Sequence, residues 1–479
     1  MSVLNFPEPK EVFNFFEEIS RIPRGSYNMS AIADYCVDFA NKRSLKVIRD
    51  KADNIIIFKN ATEGYENAEP VILQGHLDIV CQKTPDREID FETEGLDIYC
   101  DGDYLKARGT TLGADNGIAV AMVLAILASD SIPHPEIQAV FTTDEEVGMV
   151  GAMRLDTSVL SAKRMINLDS EDIDCVTVSC AGGSDFTAKM PIERVETCGT
   201  QVTIALKGLK GGHSGVCINE GRINANILAG RILHILSGES DFSLLSVSGG
   251  DKCNAIPNAC EIKVITTDKD FVDKAKKITE IIKNENAVRE ENFTAEITVK
   301  ENVTAKAFIK KDAQKLIYAL LFAPDSVITM SAEIDGLVET SLNLGILNTE
   351  ENVQTFAFAL RSNKKSALKY LEQKLCAFFE NLNCEVSTGG HYPPWEFNPD
   401  SKLQRLYIDA YTEYFGEPPR VEAIHAGLEC GVFADKIEGI DAIAIGPQMY
   451  DVHTTSERLV MSSVGQVYKI LLKILQRSN

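Results

Sequence analysis

The sequence predicts an α/β protein: a main domain with a mixed, mostly parallel sheet and helices on both faces, and an inserted α+β domain. Short apolar runs typical of buried strands alternate with helix patterns from about residue 70 to 183. A further buried-strand pattern, 441–446, lies near the end of the chain. At 479 residues the chain exceeds the size of one simple core, so two domains are expected.

The strands predicted for the main domain each stop just before a polar or charged residue. They are 70–75, 137–143, 165–168 and 441–446. A long apolar helix pattern begins at residue 116, directly after Asp115. Ligands of open α/β sheets bind at the carboxyl ends of the strands, so we expect these polar residues to lie close together.

The inserted domain is predicted at 184–390, which makes the main domain discontinuous, 1–183 and 391–479. Its predicted elements are a strand at 201–209, a helix at 222–236, a strand at 260–266, helices at 270–283 and 312–323, strands at 337–347 and 353–361, and a helix at 366–382. The repeated pattern suggests a doubled α/β unit, although its halves share no convincing sequence identity.

The residues after the strands are of the types that bind divalent metals. Two divalent ions need a bridging carboxylate, terminal ligands and a shared water that becomes hydroxide. Imidazole and carboxylate together suit zinc better than magnesium, and manganese or cobalt also fits. The candidates are His76 in GHLDIV, Asp115 in GADNG, Glu145 and Glu146 in TTDEEVG, Asp169 in INLDSED and His453 in DVHTTSERL.

Four of the acidic residues have positions that favour particular roles. Asp115 precedes the apolar helix, and the partly positive helix N-terminus suits a bridging anion. Asp78, two residues after His76, is placed to fix the tautomer of that imidazole. Glu145 and Glu146 point in different directions in an extended or turning segment, so one binds metal while the other transfers protons.

These motifs, in this order, resemble those of the dinuclear metallopeptidase family that includes carnosinases, aminoacylases, carboxypeptidase G and bacterial dipeptidases. The segments that show the resemblance are LQGHLDIVCQK, GTTLGADNGIAVA, TTDEEVGMVGA, GLKGGHSG and VETSLNLG. The resemblance extends over nearly the whole chain and is most specific at the metal motifs. It implies a zinc-peptidase-like catalytic domain with an inserted lid domain.

The resemblance also assigns a role to each candidate. It implies that one metal is bound by His76 and Asp169, the other by Glu146 and His453, and that Asp115 bridges them. Glu145 is then the general base and acid, and Asp78 orients His76. The family often has a cis peptide bond after the bridging aspartate, here Asp115-Asn116.

Five residues are candidates for contact with the substrate. His213 lies between glycines, which indicates a flexible loop or close approach to a ligand; the family's matching histidine lies on the lid and stabilises the oxyanion. Asn254 resembles a lid asparagine near the substrate. Arg361 is either a surface cation or the partner of a substrate carboxylate. His425 corresponds to a pocket-lining loop, and Glu429 is a candidate to bind a free α-amino group.

Composition excludes several classes of protein. A net charge of −22 argues against binding to nucleic acid or to anionic membrane surfaces. The twelve cysteines form no C-x-x-C pair or regular framework, and no signal peptide or transmembrane run is evident. We therefore expect reduced thiols and a cytoplasmic protein. A homodimer is one of two alternatives: with a doubled lid one chain supplies the lid histidine to its own site, whereas in single-lobed relatives a partner subunit supplies it.

The resemblance implies a dipeptidase that hydrolyses small unblocked peptides, either Xaa-His or with broad specificity, through a hydroxide shared by two metals. The alternatives within enzymes are an N-acyl amino-acid deacylase or a tripeptidase with the same metal centre. The alternative outside enzymes is an inactive metal-binding scaffold. The intact Glu145 argues against a scaffold, because a structural site needs no proton shuttle.

Overall fold

A computed structural model describes residues 6–477 of the chain. The α-helices, in chain order, are α1 Lys10–Ser20, α2 Ser30–Lys42, α3 Ala114–Ala128, α4 Val150–Arg154, α5 Ala225–Glu239, α6 Phe271–Glu285, α7 Lys310–Phe322, α8 Lys365–Asn381, α9 Lys402–Phe415, α10 Glu429–Lys436 and α11 Met461–Gln476. No helix among the residues described has the length and apolar character needed to cross a bilayer.

The strands also follow the chain in numerical order. They are β1 Lys46–Arg49, β2 Ile55–Lys59, β3 Val71–His76, β4 Ile98–Asp101, β5 Tyr104–Ala107, β6 Ile137–Thr142, β7 Arg164–Asn167, β8 Cys175–Cys180, β9 Gly182–Pro191, β10 Arg194–Lys207, β11 Gly212–His213, β12 Ser243–Gly249, β13 Ala255–Ile256, β14 Cys260–Thr266, β15 Thr294–Phe308, β16 Ser326–Met330, β17 Val338–Thr349, β18 Val353–Ser362, β19 Glu385–Tyr392, β20 Arg420–Ile424, β21 Asp441–Ala444, β22 Met449–Tyr450 and β23 Arg458–Val460.

The chain folds into two compact units. The first unit contains residues 1–180, 397–423 and 428–479, and the second contains 181–396 and 424–427. The first unit is therefore built from both ends of the chain.

The first unit is organised around an eight-stranded sheet of order β1-β2-β6-β3-β7-β21-β8-β20. The pairs β6–β3, β3–β7 and β7–β21 are parallel, while β1–β2, β2–β6 and β21–β8 are antiparallel, which confirms the mixed sheet. Every residue of β3 and β6 is buried, as expected for strands covered on both sides. The helix α3, buried along nearly its whole length, packs on α1 and β3.

Parallel pairing places the candidate ligands at one edge of this sheet. His76 ends β3, β6 ends shortly before Glu145, and β7 ends two residues before Asp169. Since the central strands are parallel, their carboxyl ends meet at the same edge. His453 lies between β22 and β23, which belong to a separate four-stranded sheet of order β22-β23-β5-β4.

The start of α3 differs from the prediction in a way that affects Asp115. Asp115 and Asn116 have non-helical backbone angles inside α3, and the peptide bond between them is cis, as the family resemblance implies. The backbone N–H groups from Leu112 to Asp115 donate hydrogen bonds to the carboxylate of Glu457. The anion at this helix start is therefore Glu457 rather than Asp115.

The second unit contains a nine-stranded sheet in which every neighbouring pair of strands is antiparallel. Eight strands have the order β15-β10-β14-β12-β17-β18-β9-β19, and β16 pairs with β17. Side chains of α5, α6, α7 and α8 share one apolar core with this sheet. The helix predicted from residue 222 begins at Ala225, because the side chain of Asn224 accepts the N–H groups of Asn226 and Ile227. The doubling of this unit stays a prediction.

Candidate functional site

The first unit places His76 and Asp115 in direct contact. The side chain of His76 is 1% exposed, and its Nε2 lies 3.2 Å from Oδ1 of Asp115 and 3.5 Å from Oδ1 of Asp169. Its Nδ1 lies 3.0 Å from the backbone oxygen of Asp78. Because that oxygen only accepts hydrogen bonds, Nδ1 bears a proton, and Nε2 is the nitrogen that faces the carboxylates.

His453 approaches the same carboxylate from the other oxygen. Its Nε2 lies 3.0 Å from Oδ2 of Asp115 and 3.0 Å from Oε2 of Glu146. The two oxygens of Asp115 therefore face two different histidines, as a bridging ligand requires. These two carboxylates raise the pKa of His453 to about 11. A cation that binds here has to displace that proton.

Glu145 lies at the edge of this cluster. Its Oε2 is 3.9 Å from Nε2 of His76, and its side chain is 19% exposed. Burial raises its pKa well above the usual range, and the negative charges of Asp169, Glu429 and Glu146 act in the same direction. A carboxyl group held near the proton-bound state suits proton transfer.

Asp78 makes hydrogen bonds that the sequence does not predict, in addition to facing His76. It is fully buried, and its Oδ1 lies 3.5 Å from Nδ1 of His76. Its two oxygens also accept the backbone N–H groups of Glu145, at 3.0 Å, and Glu146, at 3.2 Å. The hydroxyl of Ser26 donates to Oδ2 at 2.9 Å. One carboxylate thus positions both the imidazole and the turn that contains the two glutamates.

The donor set fits divalent metal ions. One ligand atom each from His76, Asp115 and Glu146 lies within 4.8 Å of the others. Imidazole nitrogen and carboxylate oxygen are the donors that zinc accepts, and manganese and cobalt bind the same types. Several buried acidic groups in one place need compensating positive charge, which bound cations supply.

The second unit contains a cluster of the opposite character around Arg361. Its Nη1 donates to the hydroxyl of Tyr392 at 2.8 Å, and its Nη2 lies 3.4 Å from Nε2 of His213. The N–H groups of Gly215 and Val216 point at Nδ1 of His213. Nδ1 is therefore the acceptor and Nε2 bears the proton, so the arginine and the imidazole present neighbouring donors.

Asn254 and His425 belong to the same cluster. A cavity of about 480 Å³ is lined by Asn254, Arg361 and Tyr392 among others. The backbone oxygen of Asn254 accepts the N–H of Ser214, next to His213. His425 is buried, with Nε2 2.7 Å from the hydroxyl of Ser341. Burial lowers its pKa to about 3, and the positive Arg361 adds to this effect.

Comparison with known proteins assigns the family. The model of peptidase family M20/M25/M40 matches residues 72–477. The chain belongs to this peptidase family. The M20 chain is 37% identical to cytosol non-specific dipeptidase of Escherichia coli (strain K12), over 99% of each chain. It also resembles the crystal structure of aminoacylhistidine dipeptidase from Vibrio alginolyticus, with a TM-score of 0.91, 36% identity, and coverage of 98% of this chain and 96% of the other.

A more distant structure shows the M20 fold alone. Aminopeptidase PepT from Bacillus cereus has a TM-score of 0.56 and 16% identity to this M20 chain, over 98% of each. Together these findings confirm the family resemblance of the sequence motifs.

Two candidate residues of the M20 chain lie elsewhere than expected. Glu429 is fully buried in the first unit. Its Oε2 accepts hydrogen bonds from Nε2 of Gln74 at 2.5 Å and from the hydroxyl of Thr142 at 2.7 Å. It offers no exposed surface to the amine of a substrate, which argues against that role. His425 is only 7% exposed, so it is buried within the cluster of the second unit and is not among the residues that line the cavity.

The cysteines do not form disulfide bonds. All twelve cysteines are free, as the composition predicts. Cys430 is fully buried, and burial raises the pKa of its thiol well above the usual range. A buried neutral thiol is a poor nucleophile.

Sequence patterns missed several residues that hold these clusters. No sequence pattern predicted Tyr392, the partner of Arg361; its neighbour His391 pairs with Glu372 at 2.9 Å. The capping Glu457 was also missed. Its position four residues after His453 was the one available signal, and no spacing rule links it to the loop before α3.

Proposed function

We propose that this chain is a metal-dependent dipeptidase that hydrolyses small unblocked dipeptides. The observation that carries the proposal is Asp115, whose two oxygens face His76 and His453. The similar proteins of Escherichia coli and Vibrio alginolyticus are both dipeptidases, which supports the substrate class. The first unit is then the catalytic domain and the second the lid, and the protein acts in the cytoplasm, as the name of the Escherichia coli relative indicates for that protein.

The metal centre is proposed to hold two divalent ions, most suitably zinc. His76 and Asp169 would hold one, Glu146 and His453 would hold the other, and Asp115 would contact both. Bound ions of this kind polarise a carbonyl group and lower the pKa of water. Proton transfer and binding of the substrate oxygens are carried out by side chains of the protein.

Glu145 is assigned the proton transfer. Its carboxyl takes a proton from the attacking water and returns it to the nitrogen of the departing amine. Asp78 fixes the N–H groups of Glu145 and Glu146 and faces His76, so it positions the base relative to the ligands. Asp78 is therefore a positioning residue and does not itself transfer the proton.

We assign binding of the negative oxygens of the substrate to the cluster in the second unit. His213 offers an Nε2–H donor, and burial together with Arg361 lowers its pKa, which keeps the ring neutral. We assign His213 to the developing oxyanion and Arg361 to the carboxylate at the substrate C-terminus. Asn254, at the cavity wall, provides a further polar contact.

The test is hydrolysis by metal-stripped protein resupplied with zinc, manganese or cobalt. Matched dipeptides, tripeptides and N-acetyl amino acids are the substrates. Metal-restored cleavage confined to dipeptides supports the proposal. Cleavage of tripeptides or of acetylated amino acids alone moves the assignment to a tripeptidase or a deacylase, and metal binding without turnover identifies a scaffold.

A further inference from the structure

A buried glutamate outside the ligand set binds the backbone that leads to Asp115. Glu457 is 4% exposed. Its Oε2 accepts the N–H of Leu112 at 2.7 Å and of Gly113 at 3.0 Å, while its Oε1 accepts the N–H of Ala114 at 2.9 Å and of Asp115 at 3.4 Å. One carboxylate thus holds four successive amides that end at the proposed bridging residue.

A buried arginine holds the carbonyl groups of the same region. Arg24 is 2% exposed, and it donates from Nη2 to the carbonyl of Gly113 at 2.6 Å and from Nη1 to the carbonyl of Leu77 at 2.9 Å. Leu77 lies between His76 and Asp78. The positive guanidinium also offsets the negative charge of the buried glutamate, which makes its burial less costly.

Ordinary helix capping does not explain this arrangement. Gly113 has φ +65°, and Asp115 and Asn116 lie outside the helical region. The amides bound by Glu457 therefore belong to an irregular helix start, where the helical hydrogen bond from the N–H of Gly117 to the carbonyl of Gly113 is a long contact, at 3.3 Å. Fixing that segment fixes the backbone from which the Asp115 side chain projects.

We propose that Glu457 is a positioning residue of the metal centre, which sets Asp115 between His76 and His453. Glu457 and His453 lie in the same loop between β22 and β23, so this carboxylate also joins the loop of one ligand to the segment of another. The inference rests on the proposed metal binding. Its prediction concerns metal affinity, which can be measured without any substrate.

The test compares Glu457→Gln with a matched capping variant. The amide of the glutamine keeps the shape but presents N–H₂ to N–H donors. Asp441→Asn is the control, since Asp441 likewise caps a chain segment in the first unit by accepting the N–H groups of Lys402 and Leu403, both at 2.9 Å. Metal-stripped proteins are titrated calorimetrically with Zn²⁺, and amide hydrogen exchange is followed by mass spectrometry in a peptide spanning 112–115.

For Glu457→Gln we expect zinc affinity at least about tenfold weaker than in the wild type, with faster exchange across 112–115. Asp441→Asn should match the wild type in both measurements. Wild-type affinity in folded Glu457→Gln overturns the inference and leaves the proposed function intact, whereas failure of the wild-type protein to bind metal overturns both. If Glu457→Gln does not fold, Glu457→Asp decides: weaker zinc binding supports the inference, and unchanged binding overturns it.

Discussion

The histidines of the two candidate clusters, one in each unit, sit in opposite electrostatic surroundings. In the first unit, the carboxylates of Asp115 and Glu146 raise the pKa of His453 to about 11. In the second unit, burial and the charge of Arg361 lower the pKa of His425 to about 3, and they lower that of His213 as well. The same side chain is thus strongly basic in one unit and neutral in the other.

This difference indicates what each cluster binds. Imidazoles among carboxylates form a set of electron-pair donors with excess negative charge, which attracts cations. A neutral imidazole beside a guanidinium forms a set of N–H donors, which attracts negative oxygens. A peptidase with a metal centre needs both kinds of site. Each prediction below tests one side of this contrast.

The largest expected effect tests the cation side. Glu145→Gln removes the proposed proton carrier while leaving the ligands in place. We expect kcat to fall about 10³-fold, within the range for loss of a general base. Steady-state kinetics with a dipeptide measures kcat, and calorimetry should show zinc binding close to that of the wild type.

Glu146→Gln is the matched control for this prediction, because it changes the neighbouring glutamate that faces His453. This variant should lose zinc affinity, unlike Glu145→Gln. Equal zinc affinity in the two variants, or full turnover by Glu145→Gln, would contradict the assignment of roles.

The next effect tests the anion side. Arg361→Met removes the guanidinium from the second unit while keeping an apolar stem. We expect KM to rise about 10- to 100-fold, since hydrogen bonds to charged groups contribute about 1.5–3 kcal/mol. The measurement compares KM for a dipeptide with a free C-terminus with KM for the same dipeptide with a C-terminal amide. The wild type should prefer the free carboxylate, and the variant should lose this preference.

Arg231→Met serves as the control in the same unit, because Arg231 pairs with Glu285 at an exposed position. It should leave KM unchanged. A variant of Arg361 that still prefers the free carboxylate would show that the arginine does not bind it.

A smaller effect concerns stability and pH. An unfolded histidine has a pKa of about 6.5, while that of His425 in the fold is about 3. Since the unfolded chain binds the proton more readily, the contribution to stability is lost as the pH falls from about 6.5 toward 3. At pH 5 the unfolding free energy is lower by about 2 kcal/mol for this reason. This pH-dependent loss should be absent in His425→Gln.

Fluorescence of the single tryptophan, Trp395, follows denaturant unfolding in the unit that contains His425. The drop in unfolding free energy between pH 7.5 and 5 should be smaller in His425→Gln than in the wild type. The same pH dependence in both proteins would refute the lowered pKa.

The smallest effect concerns the support of Arg361. Tyr392→Phe removes the hydroxyl that accepts from Nη1 of the arginine. We expect KM to rise about fivefold with kcat unchanged, because one hydrogen bond contributes about 1 kcal/mol. A change confined to kcat would mean that Tyr392 acts on the chemical step instead.

Much of the fold was predictable from the sequence because the signals are local. The strands at 71–76 and 137–142 consist of buried residues along their whole length, and this pattern is visible as apolar runs. The contacts of Glu457 and Asp78 were not predictable. Each joins side-chain oxygens to backbone groups far away in sequence, and no local pattern encodes such pairs.

The sequence by itself determined which residue types are available for metal binding and that they follow strands, because strand periodicity and ligand chemistry are properties of short segments. Only the tertiary structure decided that one oxygen of Asp115 faces His76 and the other His453, since these residues come from three distant segments. It alone also decided the contrast between His453 and His425. Burial and neighbouring charge set a pKa, and both arise from packing.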